Sequence, residues 1–356
     1  MSDLGFQPAD EIREASEHET RGLASYARWE LLLVVALGAT ILYGAEVSQY
    51  FLHSTNLFFI CLNIGEVAIM ALPLTLLVIT GEIDLSVAST LGLSGVLMAE
   101  LFKHGWGIWP AMIAAVLLGG VLGAFNGLLV TRIGLPSLAV TIGTLTLYRG
   151  IAQGVLPTDT IGGFPNGLAS IGVVPIPHTH LPYSIAFFAV LAVIFGVVLH
   201  ATPLGRSIFA IGASQEAAFF AGIRVKRIKF WLFVLSGLLS GFAGVLWTLR
   251  FASARYDSGT GLELFVVTMV LLGGVSIFGG KGTIVGVALA AAVLGTLQTA
   301  LTADLVPAQD QNIVVGALLL ASVIVPNGAD LYRRVRARLR SAEARRQAAA
   351  LQAEAR

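Results

Sequence analysis

Ten runs of this chain approach the roughly 20 apolar residues that cross a ~30 Å hydrocarbon core at about 1.5 Å per residue. They lie near residues 31–45, 57–80, 86–102, 109–131, 135–155, 182–199, 230–249, 263–279, 283–303 and 311–325. Charged residues make up 12% of the chain and hydrophobic ones 56%, against roughly 25% and 45–50% in a soluble domain. Backbone polar groups in lipid must be satisfied within each segment, so these runs imply an all-α polytopic membrane protein of about ten transmembrane helices.

Basic residues fix the direction of the spans, because Lys and Arg are retained on the cytoplasmic side. With the N-terminus inside, 18 of the 22 basic residues fall on the inner side and three (Lys103, Arg250, Arg255) outside, leaving Arg149 within a span. Both termini are then cytoplasmic, which the even span number requires. The expected organisation is an N-terminal tail over 1–30, a transmembrane domain over 31–325, and a basic C-terminal tail over 326–356. Residues 1–30 are polar and acid-rich, unlike a secretory signal. The tail from Leu331 carries eight Arg, fit either to lie on anionic lipid or to stand as a solvated helix.

Glycine is frequent inside the spans, as in "LLGGVLGAFNGLL" (Leu117–Leu129) and "LSGLLSGFAGVL" (Leu235–Leu246). Lipid supplies no hydrophobic drive between helices, so such faces are expected to carry close helix packing. The turn-bearing segments "LLVITGEIDLSVAS" and "VLLGGVSIFGGKGT" resemble each other weakly, which leaves an internal repeat open.

"GEIDLSVAS" places Gly81, Glu82, Asp84 and Ser86 in the turn between the second and third spans. The spacing reads as a helix start, with Asp84 capping free N–H groups, in preference to a catalytic pair, since no activated His or Cys stands nearby. Within spans, Glu66 and Arg149 sit at similar depth, roughly 9–14 Å from the outer ends by helix rise, and are expected to meet. Such a pair either pins two helices together or lines a pathway. Asn63, Asn126, Gln153 and Gln298 are further polar positions in spans, better suited to helix packing than to ligand binding.

Catalytic machinery is not expected. "GGVSIFGGKGT" (Gly273–Thr283) has Val275 and Gly282 where a phosphate loop needs Gly and Ser/Thr. Cys61 is the single cysteine, no His/Glu pair has metal-ligand spacing, and His178 and His180 fall on an external loop. No cofactor or metal is therefore expected in this chain, and the charge balance of 22 basic to 21 acidic residues gives no reason to expect nucleic acid.

Between the sixth and seventh spans, Ser214 can cap a short helix that Gly222 ends, with cationic "RVKRIK" beyond it. "GASQEAAFFAGI" (Gly212–Ile223) resembles the coupling motif of permease subunits in bacterial ABC importers for monosaccharides, the ribose-type family. "GEIDLSVAS", "TLYRGIAQG" and "GGVSIFGGKGTIVGVALAAAVLGTLQTAL" resemble that family's segments in the same order. The resemblance implies a coupling helix over Ser214–Gly222, with Glu216, Ala217, Ala218 and Gly222 matching the motif. It also implies partners: a second permease copy or paralogue, two cytoplasmic ATPases that bind ATP and Mg, and an external sugar-binding protein, in the bacterial inner membrane. Glu82, Ala88 and Ala213 stand where the family usually has Gly, so ribose, rhamnose and autoinducer-type sugars all remain open. An ion-coupled secondary transporter using Glu66 or Arg149, and a branched-chain amino acid permease, are the competing readings.

Overall fold

The computed structural model describes residues 29–325. Both tail assignments fall mostly outside that range. Each of the ten apolar runs contains a helix, although the run at 263–279 is helical only to Leu272. These are α1 (Trp29–Val47), α2 (Ser54–Ile79), α3 (Val87–Lys103), α4 (Ile108–Leu128), α5 (Ser137–Val155), and, after the short α6 (Asn166–Val173), α7 (Tyr183–Ala201). Two short helices, α8 (Pro203–Ala213) and α9 (Gln215–Phe220), then lead to α10 (Val225–Arg250), α11 (Leu262–Leu272), α12 (Ile284–Ala303) and α13 (Ala308–Val325). Seven of the ten are long and apolar enough to cross a membrane: α1, α2, α4 with its extension to Ile133, α7, α10, α12 and α13. The runs at α3 and α11 yield shorter helices, of 17 and 11 residues.

The bundle is built around α2, which is buried throughout from Ile64 to Ile79. It packs against α7, α10, α11 and α12, while α3, α4 and α5 form a second group joined to it by α10. The glycine faces read from the sequence meet here. A Cβ on Gly123 of α4 would lie 3.1 Å from the Gly237 Cα of α10, and one on Gly119 would lie 3.0 Å from the Gly241 Cα. Backbone-to-backbone approach of this kind gives α4 and α10 extensive van der Waals contact where lipid offers no hydrophobic drive.

Between α10 and α11 the chain is irregular. β1 (Ile161–Gly162) and β2 (Ser253–Ala254) pair antiparallel, Ile161 with Ala254, tying the segment after α5 to the segment after α10. The all-helical expectation missed this two-residue ladder, which is too short to leave a period-two pattern.

Candidate functional site

The α2–α3 turn is a knot of buried hydrogen bonds and not the expected Asp84 cap, since no side chain bonds the free N–H groups of the first turn of α3. Ser86 is the N-cap residue of α3, and Asp84 lies 2% exposed beside it. Asp84 Oδ1 accepts from the Ser86 backbone N–H at 3.0 Å and the Ser86 hydroxyl at 2.7 Å, while Oδ2 accepts from the Ser236 hydroxyl of α10 at 2.9 Å. Asn126 of α4 donates to Ser86 Oγ at 2.8 Å, and its own Oδ1 lies 3.1 Å from the Tyr148 hydroxyl of α5. The Ser137 hydroxyl accepts from the Ile83 N–H at 3.2 Å. Asp84 thus joins the turn to α10 and, through Ser86 and Asn126, to α4 and α5. Burial pushes its carboxyl above the ordinary value, with the bonds to Ser86 and Ser236 acting against that rise.

Glu82 points the other way. Its Oε1 lies 2.5 Å from Lys229 Nζ, and the same ammonium donates to Gln215 Oε1 at 2.9 Å. Lys229 and Glu82 are both largely withdrawn from solvent, at 6% and 14% side-chain exposure. One cation therefore ties the α2–α3 turn, the start of α10 and the first residue of α9 together. The acidic residue that departs from the usual glycine has a dedicated partner.

The short helix forms as its capping signals predict. Ser214 Oγ accepts from the Ala217 N–H at 3.2 Å, and Gly222, at φ 83°, turns the chain out. Its faces differ from expectation, however. Ala218 is buried against Ile211 and Val225, so it seats α9 on its own chain and does not present to a partner. The outward surface carries Glu216, Ala217, Phe219 and Phe220, with the two rings 67% and 78% exposed. Just before it, Gly212 lies against Gly280, whose N–H donates to Ile79 O at 2.8 Å. A Cβ on Gly212 would fall 2.9 Å from the Gly280 Cα. Three separated sequence motifs, the α2–α3 turn, the α8–α9 corner and the α11–α12 turn, converge on one spot.

The expected Glu66–Arg149 pair does not form. Glu66, 1% exposed, is bonded at 3.2 Å by Arg250, the last residue of α10, which also donates to Leu62 O at 2.8 Å and to Asn63 Oδ1. Arg149 instead donates to Ser258 O at 2.9 Å and Thr260 Oγ1 at 2.8 Å, with Glu263 at 3.9 Å. The reason is packing: α5 lies on α3 and α4, whereas α2 lies on α10. Gln153 and Gln298 both face outward.

Over residues 56–323 the sequence matches the family described as branched-chain amino acid transport system / permease component. The chain belongs to this permease family. It is 35% identical over 311 residues, 86% of its length and 93% of the relative's, to the autoinducer 2 import system permease protein LsrD of Klebsiella pneumoniae. The proteins of that name from Salmonella typhimurium and Escherichia coli are each 34% identical over the same share of both chains. No solved structure matches.

In this permease the residue that sequence reasoning missed is Lys229, counted there only as an inner-side cation. Lys229 closes the cationic run "RVKRIK" directly before the apolar "FWLF", and burial of such a group at that junction calls for a specific acidic partner. Arg250 was missed for a related reason, having been assigned to the external loop when it ends the helix.

Proposed function

We propose that this chain is the ten-span permease subunit of an ATP-driven importer in the bacterial inner membrane, with both termini and α9 on the cytoplasmic side. ATP and Mg are bound by separate cytoplasmic subunits, and the permease works beside a second copy or paralogue and an external binding protein. The substrate class is a monosaccharide-like molecule, in keeping with relatives named for autoinducer 2 import. The observation that carries this reading is the α9 surface: two exposed aromatic rings on a capped helix, bolted through Lys229 to a turn buried among the spans. Exposed apolar side chains on a short rigid helix suit a groove in a partner protein, and the bolt passes movement of that helix to α2, α3 and α10. A secondary carrier has no use for such an element.

Reconstitution with the ATPase and binding protein tests it. Uptake of autoinducer 2, D-ribose or L-rhamnose that requires nucleotide is the expected result. Uptake driven by an ion gradient without nucleotide refutes it, and nucleotide-dependent uptake of L-leucine alone favours the amino acid reading that the family description carries.

A further inference from the structure

The eighth apolar run crosses the membrane as only half a helix. α11 has 11 residues, about 16 Å of a core about 30 Å thick. The other half is made by the irregular segment 251–261, which follows the outer end of α10 and turns back into the bundle. Its tip lies against the first turns of α3: a Cβ on Gly259 would be 3.2 Å from Ala88 O, and one on Gly92 would be 2.9 Å from Ser258 O. Ala88 is near the inner end of α3, whose outer end is Lys103, so the tip lies about 16–22 Å below that end along the helix. Arg149, the span arginine left without Glu66, holds the tip through Ser258 O and Thr260 Oγ1.

Non-helical backbone at that depth persists only where it is buried in protein or lines a watered cavity. Here it lines a cleft of about 310 Å³ whose walls include Trp247, Phe251, Ser253, Arg255, Asp257 and Ser258. Its mouth is aromatic, with the Trp247 and Phe251 rings 4.8 Å apart between centroids and the Arg250 guanidinium against both. Glu66 and Asn63 fix Arg250, so these two span residues support the aromatic wall. Further along, Arg255 grips Asp257 through two bonds of 2.9 and 2.8 Å, yet both side chains stay open to solvent, at 57% and 40%.

We infer that the cleft along the re-entrant segment 251–261 is a binding station for a neutral polyhydroxylated ligand on its way through the permease. The sugar class rests on the import reading above. Aromatic faces pack on the C–H faces of a sugar ring, while a matched Arg–Asp pair offers donors and acceptors to neighbouring hydroxyls without attracting net charge. Placement of the segment at a broken helix, with the α11 N-terminus beginning at its inner end, matches the way transporters open polar sites within the membrane.

The test uses the complete importer in cells, with Ser253→Cys at the mouth and Ser258→Cys at the tip, each on a Cys61→Ala background. Both cysteines are expected to react with an impermeant methanethiosulfonate from outside, and saturating autoinducer 2, D-ribose or L-rhamnose is expected to slow the Ser258→Cys reaction at least fivefold. Trp247→Ala with Asp257→Asn is expected to lower sugar moved per ATP hydrolysed by fivefold or more. The inference is overturned if the tip is unreactive while the mouth reacts, if no sugar protects it, if only L-leucine does, or if the double variant keeps the unaltered ratio. Failure of the import reading looks different, since the unaltered protein would then show no nucleotide-dependent uptake.

Discussion

Lys229 and Glu82, 147 residues apart in the chain, form a 2.5 Å ion pair that also captures Gln215 at the start of α9. Removing one partner leaves the other charge withdrawn from water without compensation, which costs about 3–5 kcal/mol in buried pairs. Lys229→Met and Glu82→Gln are each expected to lower thermal stability in detergent, and the double variant to lose less than the sum. Strict additivity in that cycle would show that the pair is energetically idle.

Asp84 sets a pH dependence of defined sign. Its folded-state pKa is raised from 3.8 by burial, so the folded protein binds the proton more tightly than the unfolded chain does. The stability this gives is fully present below the unfolded value and declines as pH rises through the folded one. Asp84→Asn keeps an acceptor for Ser86 and removes the charge, and is expected to flatten the decline in melting temperature across that window. Asp84→Leu strands the Ser86 and Ser236 hydroxyls and is expected to destabilise at every pH. A melting series that shows the same slope for the Asn variant and the parent counts against Asp84 as the source.

At the α4–α10 contact, Gly123→Leu and Gly237→Leu drive a side chain into the facing backbone. Overpacking typically costs about 1–3 kcal/mol, and more where the obstacle is main chain that cannot rotate away. Both variants are expected to aggregate in detergent size-exclusion runs, whereas Gly143→Ala on α5, which has open space around it, is expected to behave as the parent.

Outward Phe220 and inward Ala218 separate the two faces of α9. Phe220→Asp is expected to abolish retention of the ATPase on co-purification with the permease still folded, while Ala218→Trp is expected to unseat the helix and lower stability as well. Equal ATPase retention by Phe220→Asp and the parent would remove α9 from the docking surface.

Sidedness rests on charge distribution. Single cysteines at Ser207 and at His180, on a Cys61→Ala background, are expected to label oppositely with an impermeant maleimide, Ser207 only after permeabilisation. Outside labelling of Ser207 would invert the orientation.

What the sequence determined by itself was everything set by local free energy. Long apolar runs must form helices in lipid, and Ser214 and Gly222 bound a short helix through bonds to their own neighbours. Partner choice was decided only by the tertiary structure. Glu66 and Arg149 share a depth that made them plausible partners, but depth says nothing about rotation around the bundle axis, and packing of α10 against α2 delivered Arg250 to Glu66 instead. Asp84 looked like a cap because capping is local, whereas its bond to Ser236 spans 152 residues. Hydropathy likewise could not show that the run at 263–279 is helical only to Leu272, because apolar residues such as Val275 and Ile277 pack against the core equally well from the glycine-rich turn that follows. Which segments are apolar is written in composition; which charge meets which is written in the packing.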